Sequence, residues 1–487
     1  MTRNGRRHVV IVGGGISGLA AAFYVRELSA RRGFDLRVTV IERAQRVGGC
    51  IETLRGDGFI MEMGAESLPT EKPWAIELVT RLDLRDELIP TRAEHKGTHV
   101  VRGGRLRAIP EDFALFTPTS IASLIGSGIF SPAGLMRAAM ELLVPARRSE
   151  GDESLASFVT RRFGREVLDR LAQPLIAGIY SADPRRLSMR ATLPRFLDVE
   201  RRHGSLIRGL GAARRANASS PAAGSAPHLP RLVSLRTGLG TMVDALEREL
   251  RETLLLGHDV LALQHGTGSD GHPQWFATLA DGRTIEADAL IFAASARCGA
   301  RIFRCVDPRL ATLLASINYN SIAVITLAYG AEALAHVPRG YGFVVPYVEG
   351  RSITAATIAS QKYEGRAPSD ALLVRTFIGG GLQEALLDVD DQALINAACR
   401  DLHDLLGIPV KPRLSMVKRW PRALPEYAVG HVDLVNEIDR RAATLPCFAL
   451  AGSAYRGVGV SDCVRSGQTA AEAVVTALSS PRVAFRS

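Results

Sequence analysis

The feature that most constrains the fold is a cluster of glycines near the amino end, in the stretch HVVIVGGGISGLAAAFYVRELS. The apolar run before the glycines predicts a buried strand, and the residues after them predict a helix. Gly13, Gly15 and Gly18 stand between the two with the spacing G-x-G-x-x-G. In such a turn the first glycine allows the tight bend, the second lets a pyrophosphate approach the backbone, and the third lets the helix pack closely on the strand. The stretch therefore predicts a dinucleotide-binding β-α-β unit.

The strand that follows, LRVTVIER, contains Glu42 at its end. An acidic side chain at this point can accept hydrogen bonds from both ribose hydroxyls of an adenosine, whereas it repels a 2′-phosphate. The sequence thus predicts a dinucleotide without that phosphate, and NADP is disfavoured. A glycine-rich turn that binds no ligand is the alternative, but the second strand and its acidic end argue against it.

The chain has 487 residues, which is too long for one hydrophobic core, so two or three domains are expected. Its net charge of +10 suits nucleic acid, an anionic membrane surface or an acidic substrate as the partner. Arginine greatly outnumbers lysine, as in the products of GC-rich genomes, and this offers a neutral explanation of the charge. The arginines are dispersed without an aromatic stripe, so no nucleic-acid binding is expected.

The six cysteines have neither C-x-x-C nor zinc-like spacing, which predicts a reduced, cytoplasmic protein without disulfides and without a metal site. No signal peptide is expected, because a basic hexad leads directly into the first strand. The segment from Phe113 to Met136 carries no charge, but its two prolines and many small polar residues disfavour a spanning helix. Contact with one leaflet of a membrane, or the lining of a substrate channel, is expected there, with a buried helical pair as the alternative.

Two further regions resemble the flavin amine-oxidase superfamily. One is RAQRVGGCIETL with the strand and polar turn of GFIMEMGAESL, and the other is FALAGSAYRGVGVSDCVRSGQTAAEAVV near the C-terminus. In that superfamily FAD occupies the dinucleotide fold, and the helix near the C-terminus directs its positive end at the flavin ring. The resemblance therefore implies FAD as the cofactor. Together with the glycine motif it assigns to FAD the residues Gly13, Gly15, Ile16, Ser17, Gly18, Glu42, Arg43, Gly48, Gly49, Gly64, Ala65, Glu66, Ser67, Val260, Trp420, Gly452, Val458, Gly459 and Val460.

The same resemblance implies an α/β fold of the amine-oxidase type, with a Rossmann-like FAD-binding domain, an antiparallel-sheet substrate domain and an α-helical domain. We expect residues 1–95, 230–298 and 419–487 to form the FAD-binding domain. Residues 96–229 are expected to form the helical domain, with any membrane contact, and residues 299–418 the substrate domain. Residues 211–229 are small and polar and predict a mobile loop.

Three segments carry a more specific resemblance: QPLIAGIYSADPRRLSMRATLPRFLDVERRHGSLIRG, RWPRALPEYAVGH and GSAYRGVGVSDCVRSG. They are similar to the porphyrinogen oxidases of haem synthesis, and the similarity extends over nearly the whole chain. Members of that family use FAD and molecular oxygen to convert a porphyrinogen into a porphyrin. The resemblance implies that Gly178 lies against the tetrapyrrole, with its carbonyl free for pyrrole N–H groups, and that Tyr180 closes the wall of the site. A kinked helix with a core tyrosine is the structural alternative.

The number of propionates distinguishes two substrates of the family, because coproporphyrinogen III carries four and protoporphyrinogen IX two. An arginine that contacts a propionate in the plant and animal branch aligns with Thr98 here, so that contact does not carry over. The stretch GAESLPTEKP instead places Lys72, one of five lysines, as in the Gram-positive branch that oxidises coproporphyrinogen. The predicted activity is therefore the six-electron oxidation of coproporphyrinogen III, with protoporphyrinogen IX as the alternative substrate. An ordinary surface lysine is the other interpretation of Lys72.

No side chain is assigned as catalytic, because hydride transfer to the flavin and aromatisation of the product do not require a strong base. The expected partners are the porphyrinogen, molecular oxygen, a ferrochelatase that receives the product, and the inner face of the cell membrane as a peripheral contact. By the resemblance Trp420 and His431 flank the flavin, but either also fits a core position, and only Trp420 is assigned to the cofactor.

Two rival functions stay open. The first is another flavin enzyme of the superfamily, an amine oxidase or a carotenoid desaturase. Amine oxidases often bind their flavin covalently through a cysteine in the C-terminal part, and Cys463 lies near that region, although we expect release of the flavin on denaturation. The second is a non-catalytic porphyrin-binding or membrane-scaffold protein that retains FAD for its structure.

Overall fold

The computed structural model describes residues 6–33, 35–120, 125–218, 232–268, 273–409 and 411–479. In chain order its strands are β1 (Arg7–Val12), β2 (Leu36–Glu42), β3 (Thr53–Gly56), β4 (Phe59–Glu62), β5 (Leu68–Pro69), β6 (Leu88–Pro90), β7 (His99–Arg102), β8 (Arg105–Ala108), β9 (Phe113–Ala114), β10 (Thr117–Pro118), β11 (Leu232–Leu235), β12 (Leu254–Leu256), β13 (Val260–Thr267), β14 (Pro273–Leu279), β15 (Thr284–Ala287), β16 (Ala289–Phe292), β17 (Tyr319–Tyr329), β18 (Gly342–Val344), β19 (Ala355–Ile358), β20 (Leu372–Gly379), β21 (Leu414–Pro425) and β22 (Phe448–Leu450).

The helices of the described residues follow in the same order, and a π-helical turn, Leu168–Ala172, joins the fifth helix to the sixth. They are α1 (Ile16–Arg31), α2 (Trp74–Arg81), α3 (Pro132–Ala139), α4 (Leu155–Phe163), α5 (Arg165–Val167), α6 (Gln173–Tyr180), α7 (Met189–Thr192), α8 (Pro194–His203), α9 (Leu206–Ala218), α10 (Gly240–Leu250), α11 (Ala296–Ile302), α12 (Pro308–Ala315), α13 (Ala359–Lys362), α14 (Asp391–Leu406), α15 (His431–Ala442) and α16 (Val460–Ser479).

A parallel sheet of five strands, in the order β12-β2-β1-β16-β22, forms the predicted Rossmann-like layer. Its central strand β1 is fully buried at Val9, Val10 and Ile11, which explains the unbroken apolar run in the sequence. The strands come from widely separated parts of the chain, because the five strands from β17 to β21 lie between β16 and β22 in the sequence. The layer is therefore complete only when the C-terminal part of the chain has docked.

Helices α1 and α16 pack against each other beside this sheet and run in the same direction. A Cβ atom at Gly467 of α16 would lie 2.3 Å from the carbonyl oxygen of Ser17 in α1, so the two backbones are in contact. At their far ends Arg32 Nη1 donates to Ser479 Oγ at 3.2 Å. Both N-termini consequently lie at the carboxyl edge of the parallel strands, which is where ligands bind in open α/β sheets.

A second sheet has seven strands in the order β21-β17-β20-β19-β18-β7-β8, and it is antiparallel except for the β18–β7 pair. This is the antiparallel sheet that the sequence analysis expected. The hairpin β7–β8 belongs to it, although residues from 96 onward were expected in the helical domain, and β21 continues past residue 418. Gly103 and Gly104, with φ values of 56° and 71°, form the hairpin turn. A glycine pair between two strands is a local sequence signal for such a turn. The five segment boundaries stay a prediction.

Helices α3 to α9 form a helical layer whose core includes Phe158, Phe163 and Phe196. The buried Arg162 of α4 ties this layer together, because its guanidinium binds the buried carboxylate of Glu141 and lies 3.3 Å from that of Glu200. Breaking such a buried network would leave charges without partners, so the network holds α4 and α8 in a defined relative position.

The loop predicted over residues 211–229 is wrong for residues 211–218, where α9 continues to Ala218. The local sequence GAARRANA is rich in alanine and arginine. The high helix propensity of these residues outweighs the small size and polarity of the side chains, which had suggested a loop. Residues 219–229 lie outside the described residues.

The uncharged segment 113–136 begins with the paired strands β9 and β10 and ends in the first turns of α3, while residues 121–124 lie outside the described part of the chain. Across the described ranges, the structure contains no helix with the length and apolar character that a membrane span requires.

Candidate flavin and substrate site

The turn between β1 and α1 has the geometry that the glycine motif predicts. Gly13 adopts φ +110°, and a Cβ there would lie 2.8 Å from the backbone nitrogen of Ala294. A Cβ at Gly18 would lie 1.9 Å from the carbonyl oxygen of Gly13, so helix and turn are in direct backbone contact. At Gly15, by contrast, no described atom lies within 4 Å of such a Cβ, and no described side chain caps the helix. The N-terminus of α1 is therefore open to an anionic group.

Glu42 lies beside this open helix end, at the end of β2. Its Oε2 accepts the Gly14 N–H at 2.7 Å and its Oε1 accepts the Ala44 N–H at 2.8 Å. These two bonds orient the carboxylate and leave lone pairs for the ribose hydroxyls. Val260 begins β13 two residues after His258, whose N–H donates to the Glu42 carbonyl at 3.0 Å. The structure thus places Val260 next to the predicted adenosine end, while Arg43 follows Glu42 at the surface.

The second glycine pair, Gly48 and Gly49, packs on the first motif. The Gly48 N–H donates to the Gly14 carbonyl at 2.8 Å, and a Cβ at Gly49 would lie 3.3 Å from the Cα of Gly15. A Cβ at Gly48 would lie 2.8 Å from Val243. The two glycine turns therefore stack backbone on backbone, and larger residues would separate them.

The predicted flavin turn, Gly64 to Ser67, lies against Trp420 of the second sheet. Trp420 Nε1 donates to the Met63 carbonyl at 2.7 Å, and a Cβ at Gly64 would lie 3.5 Å from the indole ring and 1.9 Å from the Cys50 carbonyl oxygen. Trp420 thus joins the sheet to this turn. This position is compatible with the prediction that Trp420 flanks the flavin. Ala65 and Ser67 continue the turn, where Ser67 Oγ accepts from Tyr363 Oη at 2.8 Å.

The segment from Gly452 to Val460 leads into the N-terminus of α16. Gly452 has φ +134°, and no described atom lies within 4 Å of a Cβ placed there. In the first turn of α16 the buried Ser461 Oγ has no hydrogen-bond partner among the described residues. The open backbone at Gly15 and at Gly452, together with this unpaired hydroxyl, fits a long polar ligand such as FAD. Ile16, Ser17 and Val460 lie in the helix ends that would face it, whereas a Cβ at Gly459 would lie 3.1 Å from Asp462 Oδ2.

Tyr427 and His431, which lie outside the assigned cofactor residues, hold the segment before α16 in place. Tyr427 Oη accepts the Gly457 N–H at 2.7 Å and donates to the Ser453 carbonyl at 2.6 Å. The His431 ring stacks on the Tyr427 ring with centroids 4.0 Å apart, and burial lowers the pKa of His431. His431 is thus a buried packing residue. Tyr427 lies in the quoted segment RWPRALPEYAVGH, but no pattern within that segment marks its role.

Gly178 lies on the exposed side of α6, and no described atom comes within 4 Å of a Cβ placed on it. Tyr180 ends the helix, donates to the Thr192 carbonyl at 3.4 Å and has its ring 6.3 Å from that of Tyr427. Burial, with a smaller effect of the Asp462 carboxylate, raises the pKa of Tyr180 to about 12, so this side chain stays neutral. The helix therefore presents an open backbone at Gly178 next to a neutral aromatic wall.

The position of α6 is set at its C-terminal end. Ser181 there adopts the left-handed conformation with φ +48°, and its carbonyl accepts the Gly381 N–H at 2.8 Å. A Cβ at Gly380 would lie 3.0 Å from that same carbonyl oxygen. Val458, which precedes α16, and Tyr180 pack on the same helical core, so a residue predicted for the flavin and one predicted for the substrate lie in the same part of the structure.

Lys72 does not stand alone at the surface. Its Nζ lies 2.9 Å and 2.7 Å from the two carboxylate oxygens of Asp462 in the first turn of α16. Its side chain is 40% exposed and that of Asp462 only 11%, so the pair lies at the edge of the site. Asp462 is close enough to Tyr180 to affect its pKa, and Lys72 therefore lies in the same region as the predicted substrate wall.

Among the described residues no group of three or more His, Cys, Asp or Glu side chains has the arrangement of a metal site. Cys463 is buried in α16, and burial raises the pKa of its thiol to about 12. A thiol with this pKa is a poor nucleophile at neutral pH.

A comparison with known protein families shows which family the chain belongs to. The family described as "Flavin containing amine oxidoreductase" matches residues 16–475. The chain belongs to this family. Its cofactor is FAD, since the family contains flavin and the chain carries the open dinucleotide site described above, and its fold is of the amine-oxidase type.

Individual relatives cover almost all of the chain. Coproporphyrinogen III oxidase of Bacillus subtilis (strain 168) is 33% identical, over 98% of this chain and 99% of that protein. Protoporphyrinogen oxidase 2 of Arabidopsis thaliana is 29% identical, over 97% of this chain and 95% of the plant protein. A solved structure from Exiguobacterium sp. 255-15, provisionally named as a protoporphyrinogen oxidase, superposes with a TM-score of 0.84 at 28% identity and covers 98% of this chain and all of that one.

Denaturation of the purified protein is expected to release its FAD. The buried Cys463 thiol, with its pKa raised to about 12, does not supply a thiolate for a covalent bond to the cofactor. The measurement is the visible flavin absorbance of supernatant and pellet after acid precipitation, with Cys463→Ala as the matched control. Flavin that stays with the wild-type pellet but not with the Cys463→Ala pellet would contradict this expectation.

Proposed function

We propose that this protein oxidises coproporphyrinogen III to coproporphyrin III with molecular oxygen as the electron acceptor. The observation that carries the proposal is the 33% identity to coproporphyrinogen III oxidase of Bacillus subtilis over nearly the full length of both chains. Protoporphyrinogen IX is the alternative substrate.

The overall reaction removes six electrons and six protons from the four methylene bridges and two pyrrole nitrogens of the macrocycle. Three molecules of oxygen accept them and become three molecules of hydrogen peroxide. FAD, when bound, supplies the two-electron chemistry that connects these half-reactions. Because the product is aromatic, the task left to the protein is to bind the macrocycle, orient it and keep water away.

In this proposal α6 orients the macrocycle. A flat ring can approach the backbone at Gly178 because no side chain stands there, and the helix carbonyls near its C-terminus can accept pyrrole N–H groups. Tyr180 would bound the ring on one side and exclude water, since its neutral hydroxyl is already bonded to the Thr192 carbonyl. The left-handed Ser181 and its bond to Gly381 keep this wall at a defined distance from the second sheet.

Lys72 is proposed to bind a propionate of the substrate. Its ammonium group has three donors, and in the described structure two of its contacts go to the carboxylate oxygens of Asp462. A substrate carboxylate can therefore share the ammonium group with Asp462 at the partly exposed side of the pair. Asp462 would keep Lys72 pointed at the site while reducing the net charge that the substrate meets.

The rival functions differ in what they do to a porphyrinogen. An amine oxidase or a carotenoid desaturase would not convert it, and a non-catalytic porphyrin-binding protein would bind it without turnover.

We further propose that a ferrochelatase consumes the product, because a porphyrin is the substrate class into which a metal ion is inserted.

A peripheral membrane contact is proposed for the apolar stripe formed by Met136, Met140 and Leu143. These residues follow one another at helical spacing, and their exposed fractions are 67%, 50% and 77%. Ile125, 66% exposed, lies in the uncharged segment 113–136 that ends at Met136, and the exposed Arg148 lies just beyond the stripe. Apolar side chains next to cationic ones on a protein with a net charge of +10 fit an anionic lipid surface.

Aerobic oxidation of coproporphyrinogen III and protoporphyrinogen IX, followed by porphyrin fluorescence, is the experiment that tests the function. We expect coproporphyrinogen III to be the better substrate and Lys72→Met to raise its KM about tenfold, the lower end for a charge-assisted bond because Lys72 is partly exposed. Lys96→Met is the matched control, since Lys96 forms an exposed pair with Glu111 at 2.9 Å.

Asp462→Asn distinguishes a role of the Lys72 charge in substrate binding from a purely structural role of the Lys72–Asp462 pair. Removal of the competing carboxylate should lower the KM for coproporphyrinogen III, whereas a merely structural pair would raise KM in both variants. A preference for protoporphyrinogen IX would replace the proposed substrate by the alternative, and no fluorescence from either would refute the porphyrinogen oxidase function.

Gly178→Ala is expected to make the protein more stable and less active. The new methyl group meets no described atom within 4 Å, and alanine should stabilise the helix by about 0.5–1 kcal/mol relative to glycine. The same methyl group would hold a flat substrate away from the backbone and lower kcat/KM by about tenfold or more, equivalent to at least ~1.4 kcal/mol. Melting temperature and kcat/KM are measured on the same preparation. Unchanged kcat/KM in the more stable variant would show that the substrate does not lie against Gly178.

The triple variant Met136→Gln, Met140→Gln, Leu143→Gln is expected to bind vesicles less tightly. Loss of this apolar area should weaken binding to vesicles of phosphatidylcholine and phosphatidylglycerol by about tenfold or more, as measured by co-sedimentation. Val389→Gln, at an exposed apolar residue of the second sheet domain, is the control. Equal binding by the triple variant and the wild type, or no binding by either, would refute the membrane contact.

A further inference from the structure

The turn from Gly64 to Ser67, which is predicted to line the flavin, lies against a buried group of charged side chains. This charged cluster consists of Glu62 at the end of β4, Glu66 in the turn, Lys362 in α13, Arg366, and Arg375 in β20. None of its side chains is more than 13% exposed. Lys362, Arg366 and Arg375 come from a part of the chain to which the sequence analysis assigned no cofactor residue.

Glu66 forms the centre of the charged cluster. Its Oε2 lies 2.6 Å from Lys362 Nζ, and its Oε1 lies 3.2 Å from Arg375 Nη1. Burial alone would raise the pKa of this carboxyl, but Lys362 and Arg375 outweigh burial and lower the pKa to about 2. Glu66 is therefore ionised at neutral pH, and each of its oxygens faces a cation.

The cations are also attached to the turn itself. Arg375 Nη2 donates to the Gly64 carbonyl at 2.6 Å, and Arg366 Nη2 donates at 2.8 Å to Ser234 Oγ, which in turn donates to the Glu66 carbonyl at 2.8 Å. Three cations stand against two carboxylates, so the charged cluster carries at least one net positive charge. Burial raises the pKa of Glu62, which favours a further loss of negative charge.

Stability is a weak explanation of this arrangement. Several buried ions lose their hydration, and a well-packed apolar group of the same size usually serves stability as well or better. Moreover, the buried Glu66 Oε1 lacks a hydrogen bond of good geometry to any described residue despite its ionic contact with Arg375. A flavin gains negative charge on reduction. A positive charge next to it, in a medium of low dielectric constant, would stabilise the reduced form.

We propose that Lys362 and Arg375, held behind the Gly64–Ser67 turn by Glu66, set the reduction potential of the bound FAD. The two cations stabilise the reduced cofactor, and Glu66 positions them and offsets part of their charge. Lys362 is the adjustable member of the charged cluster, because Arg375 also holds the backbone of the turn. This assignment concerns the cofactor alone and does not depend on which substrate the enzyme oxidises.

The test is the midpoint potential of the FAD-loaded protein, measured by slow enzymatic reduction with a reference dye and without any porphyrinogen. Lys362→Met should stabilise reduced relative to oxidised FAD about tenfold less well, a fall of about 30 mV for a two-electron couple. Glu66→Gln should shift the potential upward, because it removes negative charge. Lys362→Arg should stay near the wild-type value, and Lys96→Met is the control for the loss of an exposed lysine.

The signs of the two shifts decide the outcome. Opposite shifts in Lys362→Met and Glu66→Gln support the proposal, whereas equal potentials in all variants, or a shift of both in the same direction as from a loosened turn, would overturn it. If Lys362→Met does not retain FAD, the Glu66→Gln measurement decides alone: a raised potential supports the proposal and an unchanged or lowered one refutes it. Because no porphyrinogen is present, this result stands apart from that of the substrate assay.

Discussion

The contact between the backbones of α1 and α16 is the constraint on which the rest of the structure depends. Any side chain at Gly467 would collide with the Ser17 carbonyl oxygen, so the two helices can lie this close only because a glycine stands there. In this arrangement both helices begin at the same edge of the parallel sheet. Their N-termini, which are the positive ends of the helix dipoles, therefore point to one region. A cofactor such as FAD, which carries a pyrophosphate in its middle and a reducible ring at one end, fits two such helix N-termini. Moreover, the contact joins residues more than 400 positions apart in the chain.

The charged side chains around the predicted flavin and substrate site form ion pairs in which a carboxylate offsets the cations. Lys72 is paired with Asp462 at the edge of this predicted site, and Lys362 and Arg375 are paired with Glu66 behind the turn that is predicted to line the flavin. Each cation therefore acts over a short distance, and its effective charge depends on one carboxylate. The formal charge of +10 says little about such sites, because most of it comes from side chains elsewhere on the molecule.

Much of the fold could be predicted because its signals are local. The glycine turn, the acidic end of β2 and the apolar run of β1 each depend on neighbouring residues, and all three are found as expected. The structure departs from the expected local pattern where that pattern was weak. The hairpin of β7 and β8 lies next to a helical region and is held by pairing with β18, and residues 211–218 continue a helix although they are small and polar. In both cases the neighbours in space, or helix propensity, outweighed the composition that guided the prediction.

The sequence by itself determined the dinucleotide fold, because glycine spacing and helix signals are written in consecutive residues. The flavin as the cofactor class and the interest in the stretch that contains Gly178 came from segments that resemble known families. Only the tertiary structure decided which side chains meet. Lys72 reaches Asp462 across 390 positions of the chain, and Lys362 reaches Glu66 across 296, and no periodicity in the sequence connects such pairs. The physical reason is that an ion pair acts over a few ångströms in space, while a sequence pattern records only the order along the chain.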